Sequence, residues 1–311
     1  MEYGSGEFVY EHVDDWATLP AEESFVDVCR VCIDERDHVW VLNRSEKPVM
    51  EFTPAGDRVQ GWGEAHFSER PHGMTIGPDG NIHCTDDGNH TVRTFSRSGE
   101  LLGTLGTEGE ASDTGFRPAD DYFEQVASIR QSAGPFNRPT GVTVLDDGTT
   151  FVADGYGNAR IHAFSPDGRL QDSWGEPGAS LGQFRVPHAI EHDSSGQLWV
   201  ADRENSRVQR FDTQGHVLGD WIQLIRPTDV AIAGDTVFVS ELACRISVYG
   251  REGRIHTRWG NNTHSSDDPL FVAPHSVAVD SHGDVYVGEV GQTYAGVDLG
   301  TRAIHKFRRV T

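Results

Sequence analysis

Lysine is nearly missing from this chain of 311 residues. Lys47 and Lys306 are its two copies, and arginine supplies the rest of 26 basic side chains set against 48 acidic ones. The formal charge of −22 argues against nucleic acid or an anionic membrane surface as a partner, because phosphates would be repelled. An acidic, lysine-poor surface suits a high-salt cytoplasm, and a GC-rich genome would also exchange lysine for arginine; composition leaves both open. Long apolar runs are missing too. No stretch approaches the roughly 20 apolar residues of a membrane helix, so no membrane span is expected. The start, Met1-Glu2-Tyr3-Gly4, lacks the basic region and apolar stretch of a signal peptide, which makes a cytoplasmic location the expectation. Cysteine is scarce, at four residues. Cys29 and Cys32 have the spacing of redox and zinc sites. In a strand, however, residues three apart point to opposite faces, so separate reduced thiols are expected, as in a reducing compartment.

Glycine is plentiful instead, with 35 copies, many in Asp-Gly and Ser-Gly pairs that make tight turns. These turns punctuate an internal repeat. Arg70-Pro71-His72-Gly73-Met74-Thr75-Ile76, a Pro-Asp-Gly turn and the run Asn81 to Asp86 set its template. The template returns at Arg138-Pro139-Thr140, Val186-Pro187-His188 and Ala273-Pro274-His275. A degenerate copy starts at Arg226-Pro227-Thr228, and a sixth lacks the proline but keeps Val39-Trp40-Val41. Each unit continues with a third strand ending in an aromatic residue, as at Phe95, Phe164 and Phe211. A fourth strand then ends near Trp-Gly, as at Trp62-Gly63 and Trp174-Gly175. Four short strands in roughly 40 residues describe a propeller blade. Six copies predict an all-β, six-bladed β-propeller spanning 1–311 as one domain. The last copy stops at its third strand, Ile304 to Phe307, so the N-terminal segment from Phe8 to Tyr10 is expected to supply the fourth and close the ring. The polar stretch 107–137 reads as an insertion over one mouth of the channel.

The position after the template proline is His72 in blade 2, Thr140 in blade 3, His188 in blade 4, Thr228 in blade 5 and His275 in blade 6; alignment on Trp40 puts Cys29 there in blade 1. This position begins the innermost strand. Alternate blades of a six-fold ring are about 120° apart, so the three imidazoles would converge on the axis. Three neutral histidines with an open fourth position suit a catalytic zinc, and iron or another divalent metal could use the same ligands. A lone histidine here would read as a turn residue bonded to a carbonyl; three on alternate blades alone point to a metal. A second position, after the second strand, carries Arg44 in blade 1, Asp87 in blade 2, Gly155-Tyr156 in blade 3 and Arg203 in blade 4. Two guanidiniums near a metal imply an anionic ligand, most naturally a carboxylate. Tyr156 is a candidate general base. The same segments are also ordinary blade turns capped by Asp and Asn.

Pro139-Thr140-Gly141-Val142, Val152-Ala153-Asp154-Gly155-Tyr156-Gly157-Asn158, Val186-Pro187-His188 and Ala201-Asp202-Arg203-Glu204-Asn205 resemble the NHL-repeat peptidyl-α-hydroxyglycine α-amidating lyases. The match is dense over about 138–211 and thins to His72-Gly73 and Pro274-His275 elsewhere. The resemblance implies an NHL-type propeller that cleaves a carbinolamide into an amide and glyoxylate. It implies zinc on His72, His188 and His275, with Arg44, Tyr156 and Arg203 in catalytic and substrate-binding roles. Ser276 stands where the family has an Asp that serves catalysis and a calcium site, which puts calcium and full lyase competence in question. Gly157, Trp199 and Arg210 replace cysteines of secreted members, which fits a cytoplasmic protein. The expected partner is therefore a peptide or small-molecule carbinolamide bearing a carboxylate. A non-enzymatic NHL-repeat binding scaffold stays open at this point. So does a propeller lactonase or hydrolase, which would hold calcium with carboxylate and Asn ligands.

Overall fold

A computed structural model describes residues 1–260 and 270–310. The chain divides into two compact units, Met1–His66 with Pro227–Thr311, and Phe67–Arg226. The second unit holds three antiparallel four-stranded sheets, which are blades 2, 3 and 4 of the repeat. Their first strands are Pro71–Ile76, Pro139–Val144 and Pro187–His192, and their second strands are Ile82–Asp86, Thr150–Asp154 and Leu198–Asp202. The first unit holds blades 1, 5 and 6, with first strands Val28–Ile33, Pro227–Ala233 and Pro274–Val279. Six such sheets are the blades of a six-bladed NHL-type β-propeller.

The last blade closes as the repeat requires. Phe8–Val13 pairs antiparallel with Ile304–Arg309, from Tyr10 opposite Arg309 to Val13 opposite Lys306. A further strand, Glu2–Ser5, folds back on Phe8–Val13 and makes this sheet five-stranded. Its hairpin needs glycine: Gly4 has φ +84°, and a Cβ there would meet the Phe8 carbonyl oxygen at 2.1 Å. Tyr3 anchors the strand edge-on to Phe307 at 5.5 Å. One aromatic in a short polar segment is a weak strand signal.

Turn chemistry repeats with the blades. Asp34, Asp193 and Asp280 each accept from main-chain N–H groups of the following turn. Each also accepts from the buried aromatic of the second strand: Trp40 at 3.2 Å, Trp199 at 3.1 Å and Tyr286 at 3.2 Å. One carboxylate thus ties a turn to the sheet core. None of the four cysteines is in a disulfide, and Cys29 is buried and Cys32 half-buried. The 107–137 insertion carries one short helix, Tyr122–Ser128, whose N-cap Asp121 accepts from the Glu124 N–H at 2.9 Å.

The first strand of every blade breaks register at the position that follows the template proline or its equivalent. Pro139 faces Asp154 but Gly141 faces Ala153; Pro187 faces Asp202 but Ala189 faces Ala201. The slip recurs at Val28/Arg30, Pro71/Met74, Pro227/Asp229 and Pro274/Ser276. A bulge releases one residue from the ladder and re-aims its side chain. The residues so placed include Cys29, His72, Thr140, His188, Thr228 and His275.

Candidate active site

Four of the bulged side chains bond a main-chain carbonyl near the start of the next blade's first strand, the threonines one residue earlier than the histidines. Thr140 Oγ1 donates to the Pro187 carbonyl at 2.6 Å, and Thr228 Oγ1 donates to the Pro274 carbonyl at 3.0 Å. His72 Nδ1 donates to the Thr140 carbonyl at 2.7 Å, and His275 Nδ1 to the Cys29 carbonyl at 2.8 Å. A threonine ends at that bond. A histidine carries a second nitrogen past it, and with Nδ1 holding the proton, Nε2 of the neutral ring presents a lone pair. A carbonyl on the remote nitrogen is the usual outer partner of a metal-ligating imidazole.

In the Phe67–Arg226 unit the structure brings together His72, His188, Tyr156 and Arg203. The Tyr156 hydroxyl lies 3.1 Å from Nε2 of His72 and 3.1 Å from Nε2 of His188. The two imidazoles pack edge to face with centroids 4.7 Å apart. Arg203 Nη1 donates to the same hydroxyl at 3.0 Å. The post-strand turns that carry these groups are pinned by the main chain: the Tyr156 N–H donates to the Arg138 carbonyl and the Arg203 N–H to the Val186 carbonyl. Gly155 makes the approach feasible, since a Cβ there would meet the Pro187 carbonyl oxygen at 2.1 Å.

Arg203 is 4% exposed. Its Nε donates to Glu204 at 2.9 Å and its Nη2 to the Tyr122 hydroxyl. Glu204 also binds Arg226 through both oxygens, at 2.8 and 3.0 Å. Burial works against the Arg203 charge, but Tyr122, Tyr156 and Glu204 more than offset it and keep the guanidinium protonated. Burial likewise pushes Glu204 up, and Arg203 and Arg226 pull it below its ordinary value. Arg138 also lies over the Tyr156 ring, at 5.5 Å, and donates to Asp87, which Arg70 also binds. Burial raises the Asp87 carboxyl, but Arg70 and Arg138 outweigh it and hold the group at about 2.

The Met1–His66 and Pro227–Thr311 unit holds His275 and Arg44. Arg44 Nη1 donates to Asp27 at 3.2 Å and to Thr293 Oγ1 at 2.7 Å. Ser276 Oγ donates to Asp229 at 3.0 Å and accepts from the Val31 N–H at 2.9 Å. Asp229 is buried and paired with Arg30. A carboxylate therefore stands beside Ser276, but a guanidinium already neutralises it.

Sequence reasoning missed Tyr122, Glu204, Arg138 and Arg226. Three of the template prolines follow arginine, at Arg70, Arg138 and Arg226, which was a usable signal. Arg138 and Arg226 have left-handed backbone, with φ of 63° and 51°, an uncommon conformation for such residues. Tyr122 had no signal, lying in a polar stretch without periodicity.

Residues 136–164 and 184–211 match the NHL repeat. The chain is 32% identical over 296 residues to peptidyl-alpha-hydroxyglycine alpha-amidating lyase 1 of Drosophila melanogaster, covering 84% of this chain and 49% of the relative. It is 30% identical over 327 residues to peptidyl-alpha-hydroxyglycine alpha-amidating lyase 2 of the same organism, covering 91% of this chain and 72% of the relative. The chain thus spans about half the length of lyase 1. A streptogramin B lyase structure superimposes with a TM-score of 0.62 at 14% identity, covering 97% of this chain and 98% of that one, a likeness of fold. With nearly the whole chain aligned to most of lyase 2, it belongs to the NHL-repeat family of peptidyl-α-hydroxyglycine α-amidating lyases.

Proposed function

We propose that this protein is a metal-dependent carbon–nitrogen lyase that cleaves a carbinolamide, a peptidyl-α-hydroxyglycine or a smaller relative, into an amide and glyoxylate. The observation that carries this is the Tyr156 hydroxyl, within 3.1 Å of two imidazole nitrogens and 3.0 Å of a buried guanidinium. The side chains fit a divalent metal, zinc or iron among them. His72 and His275 have their Nδ1 protons committed to carbonyls, and His188 occupies the same bulge in its blade. His72, His188 and His275 would hold the ion, and a metal there supplies Lewis-acid stabilisation of the substrate hydroxyl. Calcium is not part of this proposal, because the carboxylate beside Ser276 is paired with Arg30.

The chain's own groups have separate tasks. Tyr156 Oη accepts the substrate's hydroxyl proton, and the hydroxyl oxygen becomes the carbonyl of glyoxylate. The C–N electron pair leaves on nitrogen, which takes up the proton to give the amide. Tyr156 takes the proton as the phenolate, and the Arg203 guanidinium, already bonded to Oη, balances that negative charge before the proton arrives. Because Arg203 is turned toward Glu204, Tyr156 and Tyr122, Arg44 is the residue assigned to the substrate carboxylate.

Glyoxylate release from α-hydroxyhippurate, measured beside the metal content of protein purified without added metal, tests the proposal. About one equivalent of zinc or iron, lost together with activity in His188→Ala, is the expected result. Protein that carries calcium alone, or that releases no glyoxylate when loaded with zinc or iron, would overturn it.

A further inference from the structure

We infer that Tyr122, on the helix of the 107–137 insertion, is a positioning residue that fixes Arg203 for its work on Tyr156. The inference rests on the proposed lyase site. Three segments meet at this point. The insertion helix contributes Tyr122, the turn after blade 4's second strand contributes Arg203 and Glu204, and the start of blade 5 contributes Arg226. The Tyr122 hydroxyl accepts from Arg203 Nη2 and donates to Glu204 Oε1 at 3.1 Å. Glu204 Oε1 also accepts Arg203 Nε at 2.9 Å. Tyr122, Arg203 and Glu204 therefore close a ring of three hydrogen bonds. Arg226 clamps the same carboxylate from outside and lies over the Tyr122 ring at 5.9 Å.

A guanidinium bound at Nε alone can still turn about its terminal bond. Bonds at Nε, Nη1 and Nη2 together remove that freedom, because the group is planar and its donors are fixed relative to one another. Arg203 has all three: Glu204 at Nε, Tyr156 at Nη1 and Tyr122 at Nη2. The Tyr122 bond is the one contributed from outside the blades, and it makes the insertion part of the active site's support. Positioning of this kind acts on the chemical step more than on substrate binding.

The test uses Tyr122→Phe, which keeps the ring under Arg203 and Arg226 and removes the hydroxyl. With α-hydroxyhippurate, kcat is expected to fall about 10-fold while KM stays within about 2-fold, as for loss of an interaction made in the transition state. A second readout needs no activity. NMR of protein with isotope-labelled arginine, assigned with Arg203→Lys, reports rotation about the guanidinium's terminal bond. Arg203 should show separate Nη signals in the parent and averaged ones in Tyr122→Phe. Glu204→Gln, which weakens the same ring from its other corner, should average them too and serves if Tyr122→Phe does not fold. Unchanged Nη signals, or an effect confined to KM, would overturn the inference. A parent protein that releases no glyoxylate would sink the lyase reading, while the Nη signals still decide whether Tyr122 fixes Arg203.

Discussion

Arg203 meets Tyr156 twice: its Nη1 donates to the hydroxyl at 3.0 Å, and its guanidinium carbon lies 5.2 Å from the ring centroid. One buried cation thus lies over the ring and bonds the oxygen of one phenol. A positive charge is therefore already in place at the oxygen proposed to take the substrate's proton. Replacing Arg203 by Lys keeps a charge but loses the planar fork that reaches Glu204, Tyr156 and Tyr122 at once. A fall in kcat of roughly 100-fold is expected, in line with loss of one preorganised donor. Steady-state kinetics with α-hydroxyhippurate would show it, and a variant within a few-fold of the parent would remove Arg203 from the chemistry.

Tyr156→Phe and His188→Ala should fail in different ways. In the proposed reaction the phenol carries the proton, so Tyr156→Phe should lose on the order of 100-fold or more in kcat while keeping the proposed metal. His188→Ala should lose both metal and activity. Elemental analysis of the two purified variants separates them. Equal metal loss in both would mean that Tyr156 acts as a ligand rather than a base.

Asp87 gives an acid-stability prediction with a definite sign. Its native carboxyl is held at about 2 against an ordinary 3.8, because Arg70 and Arg138 outweigh the cost of burying it. A depressed native value means that the unfolded chain binds the proton more readily. The stabilisation is present above about pH 4 and is lost as pH falls toward about 2. The size is on the order of 2 kcal/mol. Thermal melts from pH 6 down to pH 3 should show Asp87→Asn losing less stability than the parent over that span. Parallel curves would assign the acid sensitivity to other carboxylates.

The cysteines predict thiol behaviour. None is in a disulfide; Cys29, Cys84 and Cys244 are buried and Cys32 is half-buried. Burial pushes the Cys244 thiol up to about 12, with Glu289 adding to the shift. Native protein should react with a thiol reagent at Cys32 first, and all four should react once it is unfolded. A reductant should leave the melting temperature unchanged. Fast labelling of Cys244 in the native state would contradict its burial.

Much of this molecule was legible in its residues because its organisation is local and repeated. Asp-Gly and Ser-Gly turns, strand alternation and the recurring proline mark each blade without reference to any other. The N-terminal strand could be placed because the last copy stops at its third strand, although the added strand Glu2–Ser5 was not seen. The alternation of His72, His188 and His275 with Thr140 and Thr228 was also readable. Its physical meaning was not: each bulge re-aims the side chain, threonine stops at the neighbouring carbonyl, and histidine carries a second nitrogen beyond it.

Sequence by itself determined the blades, the equivalent positions and the residue types that carry chemistry, since these follow from period and turn preference. Only the tertiary structure decided which polar groups share a hydrogen bond. Tyr122 reaches Arg203 across 81 positions, and Asp229 reaches Ser276 across 47. No periodicity encodes such contacts. They arise because a buried charge must find partners wherever the folded chain brings them, and the cost of leaving it unpaired selects the arrangement.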